Sequence, residues 1–177
     1  MYRRILVPID GSAASMIGLR HAIGLAKDQR ARLRVLNVVD DLIMAPMMVE
    51  PSGAADFTYL LESLKKEGQK VLEDAAAIAG KNGVKAETVQ VESRGRPVSD
   101  VILAEARRSH ADVIVMGTHG RRGLNRLLLG SDAERVLRDA PVPVLLTRRE
   151  QPKRGAAKRS VKTRVPASRR TTARGRP

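Results

Sequence analysis

In the second half of the chain, glycines and a serine follow a short apolar run at a spacing that suits an anion-binding loop. Residues 113–116 are typical of a strand that is buried on both faces. Gly117 and Gly120 follow this run, and after nine further residues Gly130 and Ser131 begin a helical pattern. Glycine allows a ligand to approach the backbone closely, and free N–H groups at a helix start suit a phosphate. The pattern therefore predicts a phosphate-binding loop between a strand and a helix.

The start of that helix carries both a predicted cap and an acidic residue. Ser131 is a favourable N-cap residue, and Glu134 three residues later completes a capping-box pattern. Asp132 places a carboxylate one residue past this predicted cap. Pointing inward it would repel a phosphate, whereas pointing outward it would interact favourably with the helix dipole. Both orientations remain open, with the outward one preferred, and Arg121 and its neighbours would offset the charge.

The glycine spacing differs from both common nucleotide-binding fingerprints but resembles a third. No glycine is followed by Lys-Ser or Lys-Thr, and the G-x-G-x-x-G pattern is absent. The spacing resembles the G-x2-G-x9-G-S/T signature of the universal stress protein family, in its ATP-binding branch. Residues 4–12 (RILVPIDGS) and 141–146 (PVPVLL) resemble the same family, so the resemblance covers about residues 1–149. Asp132 departs from it, since family members commonly carry a small or aliphatic residue there.

The resemblance implies an ATP site, with or without Mg²⁺. Asp10 would accept a hydrogen bond from the adenine edge, and Val38 would meet adenine through its backbone. The other implied nucleotide contacts are Pro8, Met116 and Gly117 near the base and ribose, and Gly120, Arg121, Gly130 and Ser131 along the phosphates. The alternative is that residues 10–12 form only a turn and a helix cap, and that the glycines only connect a strand to a helix.

The order of the elements predicts an α/β fold. The expected strands are 3–9, 32–39, 84–92, 113–116 and 142–147, and the expected helices are 12–29 with Ser12 as its cap, 56–82, 97–109 and one from 131. Alternating strands and helices indicate a three-layer, doubly wound sandwich with a five-stranded parallel sheet. The resemblance implies strand order 3-2-1-4-5 and an adenine nucleotide alpha hydrolase-like fold. That order would bring Asp10 beside Gly117 at the switch point, where such sheets bind ligands.

The segment 40–55 is long for a loop in a compact domain, which predicts a lid or a mobile segment. Asp40 and Asp41 begin it, and carboxylates at this place could hold Mg²⁺ beside phosphates. A turn that ends the strand is the preferred interpretation of both residues.

Most of the net charge of +14 belongs to the C-terminal end of the chain. Residues 151–177 contain ten Lys and Arg residues and no acidic ones. Because they also contain few large aliphatic residues, this composition is typical of disorder. We therefore predict a folded domain over 1–149 and a basic disordered tail over 150–177. The tail could bind nucleic-acid phosphates without sequence preference, or remain solvated without a specific partner.

Several classes of protein are disfavoured by composition. The chain has no cysteine, which excludes disulfides and thiolate metal sites. No apolar run approaches the roughly 18 residues of a membrane span, and the N-terminus lacks the features of a signal peptide. We expect a cytoplasmic protein without a membrane partner. His21, His110 and His119 do not suggest a metal site.

No side-chain set in the sequence indicates catalysis. Serines and threonines lack an evident His/Asp partner set, and no pair of acids can be given general acid and base roles. We expect an ATP-binding regulator of the stress response with very slow hydrolysis, if any. The segment 142–147 should be an edge strand, which invites pairing, and the resemblance implies a homodimer through it. The alternative function is a nucleic-acid-associated stress protein that acts through its tail and binds ATP weakly or not at all.

Overall fold

The computed structural model describes residues 1–42, 53–118 and 130–147, with only the backbone described for residues 53–56. Three predictions lie wholly or largely outside these residues. They are the lid or mobile segment 40–55, of which residues 43–52 are not described, the glycine-loop residues from His119 to Leu129, and the disordered tail.

Five strands alternate with four helices in the described parts of the chain. The strands are β1 (Arg4–Pro8), β2 (Arg32–Val39), β3 (Ala86–Glu92), β4 (Val113–Gly117) and β5 (Val144–Thr147), and the helices are α1 (Ala13–Gln29), α2 (Gly53–Lys81), α3 (Val98–Arg108) and α4 (Ser131–Asp139). The strands are parallel and lie in the order β3-β2-β1-β4-β5. The predicted fold class and strand order are therefore confirmed.

The central strand β1 shows why the sheet is covered on both sides. Successive side chains point to opposite faces of a strand. Ile5 and Val7 join a core with residues of α1 and α2, whereas Leu6 joins a second core with residues of α3 and α4. Because both faces are buried, the strand is a continuous apolar run rather than an alternating one. The result is the predicted three-layer arrangement.

A buried ion pair contributes to the position of α3 on the sheet. Glu105 of α3 is only 4% exposed. Its carboxylate accepts a hydrogen bond from Arg34 Nε of β2 at 2.6 Å and one from Arg108 Nε at 2.8 Å. A buried charge is tolerated when it is paired in this way. The pairing fixes α3 against β2, on the side of the sheet that also carries α4.

Element boundaries differ from the predictions where backbone groups are used differently. The expected strand from Val84 begins instead at Ala86, because the Val84 N–H bonds to the Ala79 carbonyl at 3.0 Å and so completes the end of α2. The expected strand from residue 142 begins at Val144, after Pro143, which has no N–H to donate to a sheet. Helix α2 begins three residues earlier than predicted. Among the described helices, none is both long and apolar enough to cross a membrane.

Candidate functional site

A cavity of about 410 Å³ lies at the carboxyl ends of β1, β2 and β4. This is where the strand order reverses, and its volume is within the range of small-molecule sites. Seven of the predicted nucleotide-contacting residues line it, namely Pro8, Asp10, Val38, Met116, Gly117, Gly130 and Ser131. The other two, Gly120 and Arg121, lie outside the described residues. The fold therefore brings distant segments to one cavity, and the roles of these residues in binding stay predictions.

Asp10 is held at the cavity by the turn that starts α1. Its carboxylate accepts a hydrogen bond from the Ser12 N–H at 2.9 Å. The Ser12 hydroxyl accepts one from the Ser15 N–H at 3.2 Å, which makes Ser12 the N-cap of α1, as predicted. The Asp10 N–H in turn donates to Ser15 Oγ at 3.3 Å. The turn and cap of the alternative interpretation are present, and they position Asp10 on the cavity wall.

Gly117 is required where α1 packs against the end of β4. A Cβ atom added at Gly117 would lie 2.7 Å from the backbone carbon of Ala14 and 2.8 Å from its oxygen. Real Cβ atoms do not approach other atoms so closely, so any side chain here would push α1 away from the sheet. Gly117 therefore has a packing role that the sequence pattern did not reveal, in addition to its place on the cavity wall.

The helix on the other side of the cavity begins differently from the prediction. Gly130 has extended backbone angles and is the N-cap of α4, while Ser131 is the first helical residue. The predictions of a Ser131 cap and of a capping box with Glu134 are therefore wrong, because a capping side chain needs extended backbone angles at its own residue. Gly130 donates its N–H to the Thr118 carbonyl at 2.9 Å. This hydrogen bond joins the two ends of the segment between β4 and α4.

Asp132 reaches across to the neighbouring helix. Its Oδ1 accepts a hydrogen bond from the Ser99 N–H, in the first turn of α3, at 3.2 Å. The N-cap residue of α3 is Pro97, which makes no side-chain capping bond. Asp132 therefore satisfies an N–H group that the α3 sequence leaves without a partner in its own helix. Asp132 therefore adopts neither predicted orientation in full, since its half-buried side chain points to α3 while the residue also lines the cavity.

Asp40 and Asp41 have separate environments. Asp40 lines the cavity. Asp41 instead accepts hydrogen bonds from Ser93 Oγ and from the Gly95 N–H, the latter at 2.9 Å. Partial burial raises the pKa of Asp41, but these hydrogen bonds outweigh it and hold the pKa below its usual value. For Asp41 the preferred turn interpretation agrees with the structure, and the described residues contain no group of three His, Cys, Asp or Glu arranged to hold a metal.

A buried amide on the wall of the cavity was not identified from the sequence. Asn37 of β2 is 6% exposed, and its Nδ2 donates to the Ile9 carbonyl at 3.0 Å. Gln90 Nε2 donates to Asn37 Oδ1 at 3.3 Å and to the Lys65 carbonyl of α2 at 2.9 Å. Gly68 of α2 lies directly against this pair. Asn37 interrupts the apolar run 35–39, which was the available signal, and its partners are too distant in sequence to be anticipated.

The cavity wall combines an apolar surface with negative charge. Leu64 and Val71 of α2 and Val98 and Ile102 of α3 line it with aliphatic side chains. Its ionisable members among the described residues are three aspartates and no Lys, Arg or His: Asp10, Asp40 and Asp132. An apolar wall suits a planar base, and free N–H groups at the start of α4 suit an anion. The arrangement suits a ligand that has both an apolar, planar part and an anionic part.

Comparison with known proteins agrees with the sequence pattern. The universal stress protein family model matches residues 1–148. The universal stress protein MJ0531 of Methanocaldococcus jannaschii is 38% identical over 149 residues, which cover 84% of each chain. A solved universal stress protein from Burkholderia pseudomallei is 36% identical, with a TM-score of 0.67, and the match covers 82% of this chain and 96% of that one.

Two more distant structures have the same fold and contain nucleotides. A universal stress protein solved in complex with cAMP is 24% identical with a TM-score of 0.57, and the match covers 83% of this chain and 97% of that one. A universal stress protein from Archaeoglobus fulgidus in complex with dAMP is 23% identical with a TM-score of 0.59, covering 82% and 97%. At these identities the similarity shows the fold alone. The family model and the close relative together show that this chain belongs to the universal stress protein family.

Proposed function

We propose that this chain is an adenine-nucleotide-binding regulator of the stress response, with ATP, with or without Mg²⁺, as the nucleotide predicted by its glycine motif. The observation that carries the proposal is the cavity at the switch point, which has Asp10 on one side and the N-terminus of α4 on the other. The complexes of related folds with cAMP and dAMP support adenine nucleotides as the ligand class.

In the proposed complex the base lies on the apolar part of the wall. Asp10 accepts a hydrogen bond from the adenine edge, and the backbone of Val38 meets the base. Pro8, Met116 and Gly117 border the base and the ribose. The phosphates extend toward Gly130 and Ser131, where free N–H groups and the helix dipole favour negative charge. Gly120 and Arg121 are proposed to complete the phosphate contacts.

We propose a binding protein rather than an enzyme. No general acid, base or nucleophile with the partners that catalysis needs was recognised in the sequence. A bound nucleotide would order nearby segments and change the surface that the protein offers to partners in the cytoplasm. Homodimerisation through β5 belongs to the same proposal, since β5 is an edge strand on which Leu145 is 44% exposed. Exposed edge strands favour pairing with another chain.

Isothermal titration calorimetry of the full chain with ATP, AMP and adenosine, with and without Mg²⁺, tests the proposal. The informative variant is Asp10→Asn, which retains an acceptor for the Ser12 N–H but loses the charge. A hydrogen bond to a charged group contributes about 1.5–3 kcal/mol, so affinity should fall about tenfold or more. The control is Asp28→Asn, which removes one negative charge from an exposed position on α1. This variant should bind nucleotide like the wild type. The absence of heat with every adenine compound, in well-folded protein, would contradict the proposal.

The composition of the tail favours a second candidate function. Ten cations without acids in residues 151–177 would add salt-dependent, sequence-independent affinity for nucleic acid. Fluorescence anisotropy with labelled duplex DNA should then detect binding to the full chain and none to a chain that ends at residue 150. Nucleotide affinity should survive the truncation. Equal DNA binding by both chains would reject a role for the tail.

A further inference from the structure

The phosphate end of the cavity carries a fixed carboxylate that a nucleotide-binding role alone does not explain. Asp132 follows the N-cap residue of α4 by two positions and lines the cavity. A phosphate at the start of α4 would share this short stretch of chain with the Asp132 carboxylate. Like charges at such separations repel by an amount that rises with the charge of the ligand. The position of this group therefore bears on which nucleotide the site prefers.

Asp132 is restrained from moving away. Its Oδ1 is bonded to the Ser99 N–H at 3.2 Å, and Pro97 at the N-cap of α3 makes no side-chain bond that could replace it. Rotating the carboxylate into solvent would leave the N–H of the buried Ser99 without its acceptor, which costs free energy. The start of α3 also favours a negative charge through its helix dipole. The charge is therefore held beside the cavity whether or not a ligand is bound.

The described wall of the cavity contains other carboxylates besides Asp132. Asp10 and Asp40 add two more carboxylates, and no cationic side chain lines the cavity among the residues that the structure describes. The acidic Glu134 also stands in the first turn of α4. Because Asp132 lies at the start of α4, its repulsion is absent for an uncharged nucleoside and grows from a monophosphate to a triphosphate.

We propose that Asp132 is a specificity-determining residue that lowers the affinity of the site for adenosine triphosphate relative to the monophosphate. This proposal rests on the proposed nucleotide site and adds which adenine nucleotide that site prefers. The N–H groups at the start of α4 attract one phosphate group, while the Asp132 carboxylate opposes each further negative charge. The negative charge of Asp132, and not the shape of its side chain, accounts for the preference for the monophosphate over ATP.

The test compares nucleotides of different charge in matched variants. Asp132→Asn removes the charge and retains an oxygen that can accept from the Ser99 N–H. Titration calorimetry of the full chain with adenosine, AMP and ATP, first without Mg²⁺, should show ATP binding strengthened about tenfold and AMP binding less. Adenosine affinity should stay within about twofold of the wild-type value, because the carboxylate does not repel an uncharged ligand. With Mg²⁺, which neutralises part of the triphosphate, the gain for ATP should be smaller.

Two further variants separate charge from structure. Asp139→Asn removes the same charge from the opposite end of α4 and should leave all three affinities unchanged. Asp132→Ser, which also removes the charge, should reproduce the gain for ATP even if the amide variant folds poorly. An equal change for adenosine and ATP, or an unchanged ratio of ATP to AMP affinity in both Asp132 variants, would overturn the inference. Failure of every variant to bind any adenine compound would instead reject the proposed nucleotide site itself.

Discussion

Replacing Gly68 by alanine should destabilise this protein, although the same change inside most helices is stabilising. Gly68 lies within α2, where alanine is normally favoured over glycine by about 1 kcal/mol. The side chains packed against Gly68 oppose this preference for alanine. A Cβ atom at Gly68 would lie 2.1 Å from Asn37 Oδ1 and 2.5 Å from Gln90 Nε2.

The size of the destabilisation follows from the hydrogen bonds that Asn37 would lose. Its amide is buried and is held by hydrogen bonds with the Ile9 carbonyl and with Gln90. To admit the methyl group, either Asn37 turns away from these partners or α2 moves off the sheet. Leaving a buried polar group unpaired costs about 1–3 kcal/mol, and overpacking costs a similar amount. After the gain in helix propensity is subtracted, the expected loss of stability is about 2 kcal/mol.

Urea unfolding, followed by circular dichroism at one protein concentration, measures the change in the free energy of unfolding. Gly24→Ala is the matched control, since Gly24 lies within α1 and a Cβ atom there would meet nothing within 4 Å. The control should be stabilised by up to about 1 kcal/mol, while the Gly68 variant loses stability. If both variants are stabilised alike, the close approach of α2 to Asn37 is not a constraint, and the reasoning is refuted.

Two other predictions concern the acid stability of the fold and its association. The pKa of Asp41 is lower in the folded protein than its usual value of 3.8, so unfolding in acid takes up a proton. The stabilisation from Asp41 is therefore complete above about pH 5 and is lost as the pH falls through the folded pKa. The stability advantage of the wild type over Asp41→Asn in urea unfolding should shrink between about pH 6 and pH 3, and a constant difference would contradict this assignment. Leu145→Arg should convert a dimer into a monomer in sedimentation experiments, whereas Leu60→Arg, an exposed position on α2, should not. A wild-type monomer would reject pairing through β5.

The sequence alone determined most of the scaffold, because strands and helices are recognised from local patterns. The bounds of β2 were predicted to the residue, and Ser12 was identified as the cap of α1. The alternation of apolar strands with helices predicted a parallel sheet covered on both faces. The strand order came from the family resemblance, and only that order let the glycine motif be placed beside Asp10.

The tertiary structure alone decided how the cavity is supported. Asp132 caps a helix that begins more than thirty residues earlier, Asp41 organises the turn at Ser93, and Gly68 leaves room for Asn37. Each of these contacts joins residues far apart in the chain, so no local pattern encodes it. The error at Ser131 has a related cause, since the backbone angles at Gly130 and Ser131, and not residue preference alone, decide which of them is the cap. Patterns in a sequence specify which element a residue belongs to, whereas its contacts depend on where the other elements lie.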